Sequence, residues 1–180
     1  MGEPILVVTG PSGAGKTTVG RLIAATFDLS VHIRMDDFMP FVVNGWVEPW
    51  LPESAHQNHV LGGAVAVAAM QFAAGGYTVV LDGHVFPEAL DGLAPACALR
   101  GVPLHYAVLR PDLSTCQARV TQQHSGDPDD PESLAHLHAR FGDLGDYEAN
   151  VIDASGAPEA ITAALLSAFT AGRLVVRSPG

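Results

Sequence analysis

The stretch "PILVVTGPSGAGKTTVGRLIAATF", residues 4–27, specifies the fold. An apolar run ends in a glycine-rich turn, and the turn opens an amphipathic segment. Residues 10–17, "GPSGAGKT", satisfy the pattern G-x-x-x-x-G-K-[ST] in full, in the strand-to-helix setting that the pattern requires. Gly10, Gly13 and Gly15 let the backbone wrap so that its N–H groups, with those of Ser12, Ala14 and Thr18 around them, converge on phosphate oxygens. Pro11 contributes shape but no N–H. The helix N-terminus behind the turn adds its positive end. Lys16 supplies a point charge to the β and γ phosphates of a nucleotide, and the Thr17 hydroxyl completes the shell of a Mg²⁺ ion. Lys16 is also the only lysine in the chain, the other eight basic residues being arginines. A lone lysine at this position is there for nucleotide phosphate.

Around this stretch the composition sets bounds. With 180 residues and 48% hydrophobic content, the sequence predicts one globular domain spanning 1–180. A net charge of −10 argues against nucleic acid or an anionic membrane surface as partner. The start, "MGEPILVVTG", has no basic leader followed by a long apolar stretch. The longest apolar run lies within 62–76 and falls short of the roughly 20 residues that span a bilayer. Cys97 and Cys116 have no metal-ligand spacing and read as buried free thiols. The expectation is a soluble, cytoplasmic protein; its oligomeric state is not legible.

Five strand-like runs, at 4–9, 31–35, 77–82, 104–110 and 150–155, alternate with helical patterns at about 16–27, 53–74, 87–99, 112–123, 131–141 and 157–171. This alternation predicts an α/β fold with a parallel sheet covered by helices on both faces. Two stretches break the pattern: 36–52, "DDFMPFVVNGWVEPWLP", and 124–131, "HSGDPDDP". Irregular segments of this kind in a compact domain are often substrate loops or lids, the alternative being plain surface excursions.

A phosphoryl group held at the turn has three destinations: water, a macromolecule or a small molecule. A guanine-specific GTPase would carry N-K-x-D, which a chain with its one lysine at position 16 lacks. The second strand ends in "RMDDF", which puts Asp36 and Asp37 at the carboxyl edge of the sheet, where open α/β sheets bind ligands. One carboxylate there can take the proton of an attacking hydroxyl as general base, for which Asp36 is the candidate. Its neighbour Asp37 can orient that hydroxyl or hold Mg²⁺ through water; the plainer alternative is that one of the pair caps the next segment. The third strand closes on Asp82 in "VVLDG", a position that usually supports the metal shell or the phosphate turn, the alternative being a plain strand-end carboxylate.

These residues together resemble the small P-loop kinases of the nucleoside-monophosphate-kinase-like group, which includes shikimate kinase, gluconate kinase and chloramphenicol phosphotransferase. The resemblance rests on "GPSGAGKTT" after the first strand, "MDDF" after the second, "VVLDG" after the third and "CQARV" after the fourth. It implies a P-loop NTPase three-layer sandwich with sheet order 2-3-1-4-5. It also implies Mg·ATP as donor, a small hydroxyl compound as acceptor and Asp36 as base. In the same way it implies that "IDASG" (152–156), with Ser155, lies near adenine. Arg119 is the first candidate for the nucleotide phosphates or the adenine face, and Arg140 the second. The chain departs from the group in its short lid, about 120–140, where only these two arginines occur, with acids between them.

The acceptor is read from what is missing. From Met35 to Leu99 there is no lysine or arginine, although the acceptor region, about 36–75, falls inside this interval. Kinases that bind anionic acceptors meet them with arginine, because a buried anion without a partner costs several kcal/mol. The interval carries instead Phe38, Phe41, Trp46, Trp50 and Phe86, with Gln57, Asn58, His56, His59 and His84 as hydrogen-bonding groups. Phe38, Trp46, Trp50 and His84, beside Asp36 and Asp37, form the predicted acceptor site, and Phe86 reads better as core. Such a pocket suits a neutral or cationic hydroxyl compound; the resemblance to chloramphenicol phosphotransferase implies that an antibiotic-like one is a candidate. The histidines of "ESAHQNHV" lack a third ligand at a spacing suited to zinc. The expected function is ATP-dependent phosphotransfer to a small-molecule hydroxyl. The rivals are a nucleoside or nucleotide kinase, and an ATPase or regulatory nucleotide switch.

Overall fold

A computed structural model describes residues 2–123 and 131–177. Its strands are β1 (Ile5–Thr9), β2 (Ser30–Arg34), β3 (Thr78–Asp82), β4 (Leu104–Leu109) and β5 (Val151–Ile152). They form one parallel sheet in the order β2-β3-β1-β4-β5, which is the order the resemblance implied. Six α-helices flank it: α1 (Lys16–Ala24), α2 (Ala55–Ala74), α3 (Pro87–Leu99), α4 (Leu113–Gln123), α5 (Pro131–Arg140) and α6 (Pro158–Thr170).

The strands are apolar without alternation because both faces of the sheet are covered. Along β1, Ile5 and Val7 pack with Val65, Ala69 and Leu90 of α2 and α3. Leu6 and Val8 face the other way, onto Val19 and Ile23 of α1 and Leu165 of α6. Strand β4 repeats the division, with Tyr106 and Val108 in the first core and Ala107 and Leu109 in the second. Cys97 and Cys116 are buried free thiols.

Three departures from the sequence expectation have physical causes. Strand β5 is two residues long, because the Ser155 amide donates to the Asp153 side chain at 3.0 Å and turns the chain out of the sheet. At the other end of β4, ahead of the residues that pair with β5, the edge is taken by the C-terminal segment: Tyr106 N donates to Leu174 O at 2.9 Å, and Val176 N to Leu104 O at 2.9 Å. Segment 36–52 is partly regular, since a 3₁₀ helix (Met35–Phe41) carries both Asp36 and Asp37 directly off β2. Of the expected lid, 124–130 lies outside the described residues, and its second half is the regular helix α5. No helix among the described residues is long and apolar enough to cross a membrane.

Candidate active site

The site lies at the carboxyl ends of β1, β2 and β3. Gly10 and Gly13 adopt positive φ of 144° and 77°, and each is pressed against backbone. A Cβ at Gly10 would run into the Leu109 carbonyl at the end of β4, and one at Gly13 into the Cys116 carbonyl on α4. The turn is thus clamped between two elements that only glycines let it approach. Around Gly13 the chain folds back on itself, with Ala14 N donating to Pro11 O at 3.2 Å. Gly15, also left-handed, caps α1, whose first turn has neither an acidic residue nor a side-chain cap. Its leading N–H groups are left for a ligand.

Lys16 extends along the turn, where its Nζ donates to Pro11 O at 3.0 Å and to His84 Nε2 at 3.0 Å. The second bond requires a neutral imidazole, since an ammonium can only donate. The electrostatics agree. Burial and the adjacent lysine charge, against a smaller opposing pull from Asp82, push His84 down to about 3. Burial also lowers Lys16 to about 8, against the opposing pull of Asp82 and then Asp36. Asp36 is therefore close enough for its charge to be felt at the lysine, while remaining exposed to solvent. Asp37 faces Arg34 instead, at 3.4 Å across one turn of the 3₁₀ helix.

Asp82 is almost fully buried and serves two partners. Its Oδ1 accepts from the Thr17 hydroxyl at 3.4 Å, and its Oδ2 lies 2.8 Å from His32 Nε2. At 3.4 Å the Thr17 contact is longer than the 2.7–2.8 Å typical of O–H···O bonds. A hydroxyl and a carboxylate in loose contact are the hard oxygen donors that Mg²⁺ selects. Among the described residues no three His, Cys, Asp or Glu side chains cluster as metal ligands. Mg²⁺ in phosphoryl transfer requires no such cluster, because one or two carboxylates and the substrate phosphates hold it.

Arg119 reaches across from α4 to the loop after β5. It donates to the carbonyls of Ala154 at 2.9 Å, Gly156 at 3.3 Å, Gly13 at 3.4 Å and Ser155 at 3.5 Å. With Gly15, Thr18, Val19 and Ile161 it lines a hollow of about 170 Å³ between α1 and α6. Phosphate turn, Arg119 and the Ser155 loop thus meet at one place. Ser12, expected among the nucleotide-binding residues, does not line this hollow. It stands half-buried in the turn between Pro11 and Gly13, where its amide rather than its side chain belongs to the phosphate cradle.

Across the site, the segment expected to take the acceptor is held differently. Gln57 grips Val47, its Oε1 accepting from Val47 N at 3.0 Å and its amide donating to Val47 O at 2.7 Å. Asn58 and Ser54 both donate to Pro49 O, at 2.8 and 2.9 Å. Gln57 and Asn58, expected to line the pocket, are instead spent on strapping the tryptophan loop to α2. The loop presents Trp46 and, more fully, Trp50, which is 75% exposed. Phe38 packs on the core and against the exposed Phe41, with centroids 5.3 Å apart. Past β3, Tyr106 and Thr9 hold both backbone groups of Val85, at 2.8 and 2.9 Å, which fixes the loop carrying His84.

Phe86 is half-buried, stacks on Phe141 and carries Arg140 over its ring at 3.5 Å. This places Arg140 beside the loop after β3, whereas Arg119 stands at the hollow between α1 and α6. Two further residues of the site gave little sign of themselves in the sequence. His32 left as its signal a polar residue inside an apolar strand. Arg34 stands one position ahead of the interval free of basic residues.

Comparison with known proteins accords with this geometry. A profile of the AAA domain family matches residues 5–143. No curated protein matches the chain in sequence. Among solved structures, the tunicamycin resistance protein of Deinococcus radiodurans is similar with a TM-score of 0.69 at 15% identity, over 99% of both chains. A gluconokinase from Sinorhizobium meliloti 1021 gives a TM-score of 0.65 at 19% identity, covering 93% of this chain and 92% of its own. A sugar kinase from Janibacter sp. HTCC2649 gives 0.69 at 18% identity, over 93% and 95%. The chain belongs to the AAA domain family, with the fold of the small P-loop kinases.

Proposed function

We propose that this member of the family transfers the γ-phosphoryl group of ATP to a hydroxyl of a neutral or cationic small molecule. One observation carries the reading: Asp36 stands exposed just past the carboxyl end of β2, on the 3₁₀ helix that also carries Phe38 and Phe41, and its charge is felt at Lys16. A nucleotide switch or plain ATPase would not need an exposed carboxylate beside aromatic side chains at this edge of the sheet.

In this reading adenine lies in the hollow beside Arg119, whose guanidinium is held flat by backbone carbonyls and can stack on it. The phosphates lie along the turn, where converging amides and Lys16 stabilise charge on the transferring group. Asp36 accepts the proton of the acceptor hydroxyl as its oxygen bonds to the γ phosphorus and the bond to the β–γ bridging oxygen breaks, leaving ADP. Thr17 and Asp82 would hold Mg²⁺, which supplies charge neutralisation at the phosphate oxygens. The remaining catalysis is positioning, by a turn fixed against β4 and α4.

The acceptor class follows from charge and surface. Asp36, Asp37, Glu48 and Glu53 accompany exposed Phe41, Trp46 and Trp50, and Arg34 is already paired with Asp37. Aromatic faces amid carboxylates favour a cation or a neutral molecule. The tunicamycin resistance protein among the structural neighbours makes antibiotic-like acceptors the first compounds to try. A second reading, an anionic acceptor, has Arg140 over Phe86 in its favour.

The test is ADP release from Mg·ATP, alone and with a panel of neutral, cationic and anionic hydroxyl compounds. Stimulation by a neutral or cationic member supports the proposal. Stimulation by gluconate or a nucleoside monophosphate moves the acceptor to the second reading, and turnover indifferent to all compounds overturns transfer. Asp36→Asn is expected to abolish stimulated turnover, a loss of about 10²–10⁴-fold, with ATP affinity nearly intact.

A further inference from the structure

His32 sits on β2 opposite Val80, two residues short of the level of Asp82 on the neighbouring strand. Its imidazole reaches along the sheet to place Nε2 2.8 Å from Asp82 Oδ2. The other oxygen of that carboxylate, Oδ1, takes the Thr17 hydroxyl. An ionised carboxylate only accepts, so His32 Nε2 donates, and that bond ties down the oxygen not turned toward Thr17. Both side chains are sheltered, with His32 16% and Asp82 4% exposed, so water offers the carboxylate little alternative partner.

The helix above is shaped to admit the ring. At Gly20 of α1, a Cβ would stand 2.8 Å from His32 Nε2, closer than any real contact. Gly20 is buried within α1, where glycine costs about 1 kcal/mol relative to alanine. That cost has an explanation if the space above His32 must stay open.

We propose that His32 is a positioning residue: it fixes the Asp82 carboxylate with one oxygen toward Thr17 and so sets the Mg²⁺ affinity of the nucleotide site, Gly20 being the gap that admits its ring. The inference rests on the phosphotransfer reading above, since it presumes that Thr17 and Asp82 serve a nucleotide-bound metal. Groups behind the ligands of a metal typically control its affinity by 10–100-fold.

The experiment measures binding of a fluorescent ATP analogue to the full chain, with Mg²⁺ and with a chelator, and takes the ratio of the two affinities. In His32→Leu this ratio is expected to fall by about 10–100-fold, with affinity in chelator little changed. His32→Gln, whose amide nitrogen falls near the place of Nε2, is expected to recover most of it. Gly20→Ala, which displaces the ring without touching it chemically, is expected to lower the ratio as His32→Leu does. A purely structural His32 would weaken binding equally with and without metal and would not be rescued by glutamine.

A ratio unchanged in folded His32→Leu overturns the inference, as does an equal loss in both conditions. Should His32→Leu not fold, Gly20→Ala and His32→Gln decide. The inference then stands if the ratio falls in the first and is retained in the second, and fails if neither result is seen. Absence of Mg²⁺-coupled binding in the unmodified protein would instead break the phosphotransfer reading itself.

Discussion

The two halves of the site, a nucleotide side and an acceptor side in the reading proposed above, are built on opposite plans. On the nucleotide side the working groups are backbone amides, one lysine and a buried carboxylate, each held by a partner from another element: β4 and α4 against the turn, His84 against Lys16, His32 against Asp82. On the acceptor side the surface is made of exposed aromatic side chains on a loop whose backbone is strapped to α2, while the rings themselves stay free. Phosphate is the same in every kinase reaction, so a rigid and preorganised cradle serves it without reorganisation. An acceptor differs from one enzyme to the next, and side chains on a loop can change while the scaffold stays put. On the proposed reading, phosphate stabilisation is to be sought in the rigid half, and acceptor specificity in the adaptable half beside Asp36.

If the contrast is right, damage to the cradle is severe and damage to the aromatic loop is mild. Within the cradle the largest effect is expected from Lys16→Ala, a fall in turnover of about 10²–10³-fold with the fold retained, read by ADP release and circular dichroism. A result within a few fold would mean that the amides alone hold the phosphates. Next comes Gly13→Ala, which puts a Cβ into the Cys116 carbonyl and a non-glycine residue at φ 77°. Its backbone strain costs about 1–3 kcal/mol, read as a Tm several degrees lower, and nucleotide binding should fall with it. A neutral outcome would show the cradle to be less rigid than it looks.

The Lys16–His84 contact probes the rigid half through pH. With Lys16 lowered to about 8 in the free protein, ATP affinity is expected to fall as pH rises through 8. Binding above that pH should take up a proton, because phosphate restores the charged lysine. Calorimetry in buffers of different ionisation enthalpy measures this uptake, and Lys16→Ala should abolish it. The stability of the free protein carries the same signature. Between pH 8 and 10.5 the unfolded chain keeps the Lys16 proton that the folded chain has lost, so Lys16 makes stability rise with pH there. His84, neutral in the fold down to about 3, binds a proton below 6.5 only when unfolded, so stability falls as pH drops from 6.5 toward 3. His84→Gln should flatten that acid limb. The smallest effect is expected from Trp50→Ala: stability within about 0.5 kcal/mol, and an acceptor KM raised by roughly 2- to 30-fold, from a cation–π contact of about 0.5–2 kcal/mol. A large loss of stability would make Trp50 part of the core and undo the division between the halves.

The sheet, its two covered faces and the phosphate turn were legible in the amino-acid order because those features are local. A turn that needs glycines and a lysine announces itself within eight residues, and strands buried on both sides are apolar at every position. Asp36 and Asp82 were legible for a related reason, since a strand's carboxyl end is visible in the chain. Which of these groups hold one another emerged from the folded molecule alone. The bond between Lys16 and His84 spans 68 residues, that between His32 and Asp82 spans 50, and Arg119 meets Ala154 across 35. Gln57 and Asn58 read as pocket residues until the fold turned them onto loop backbone, and that Arg140 lies over Phe86 became visible only once α5 was placed. Residue type and neighbours along the chain specify what a side chain can do. Which partner it meets depends on how strands separated in sequence are ordered in the sheet, and no local pattern records that.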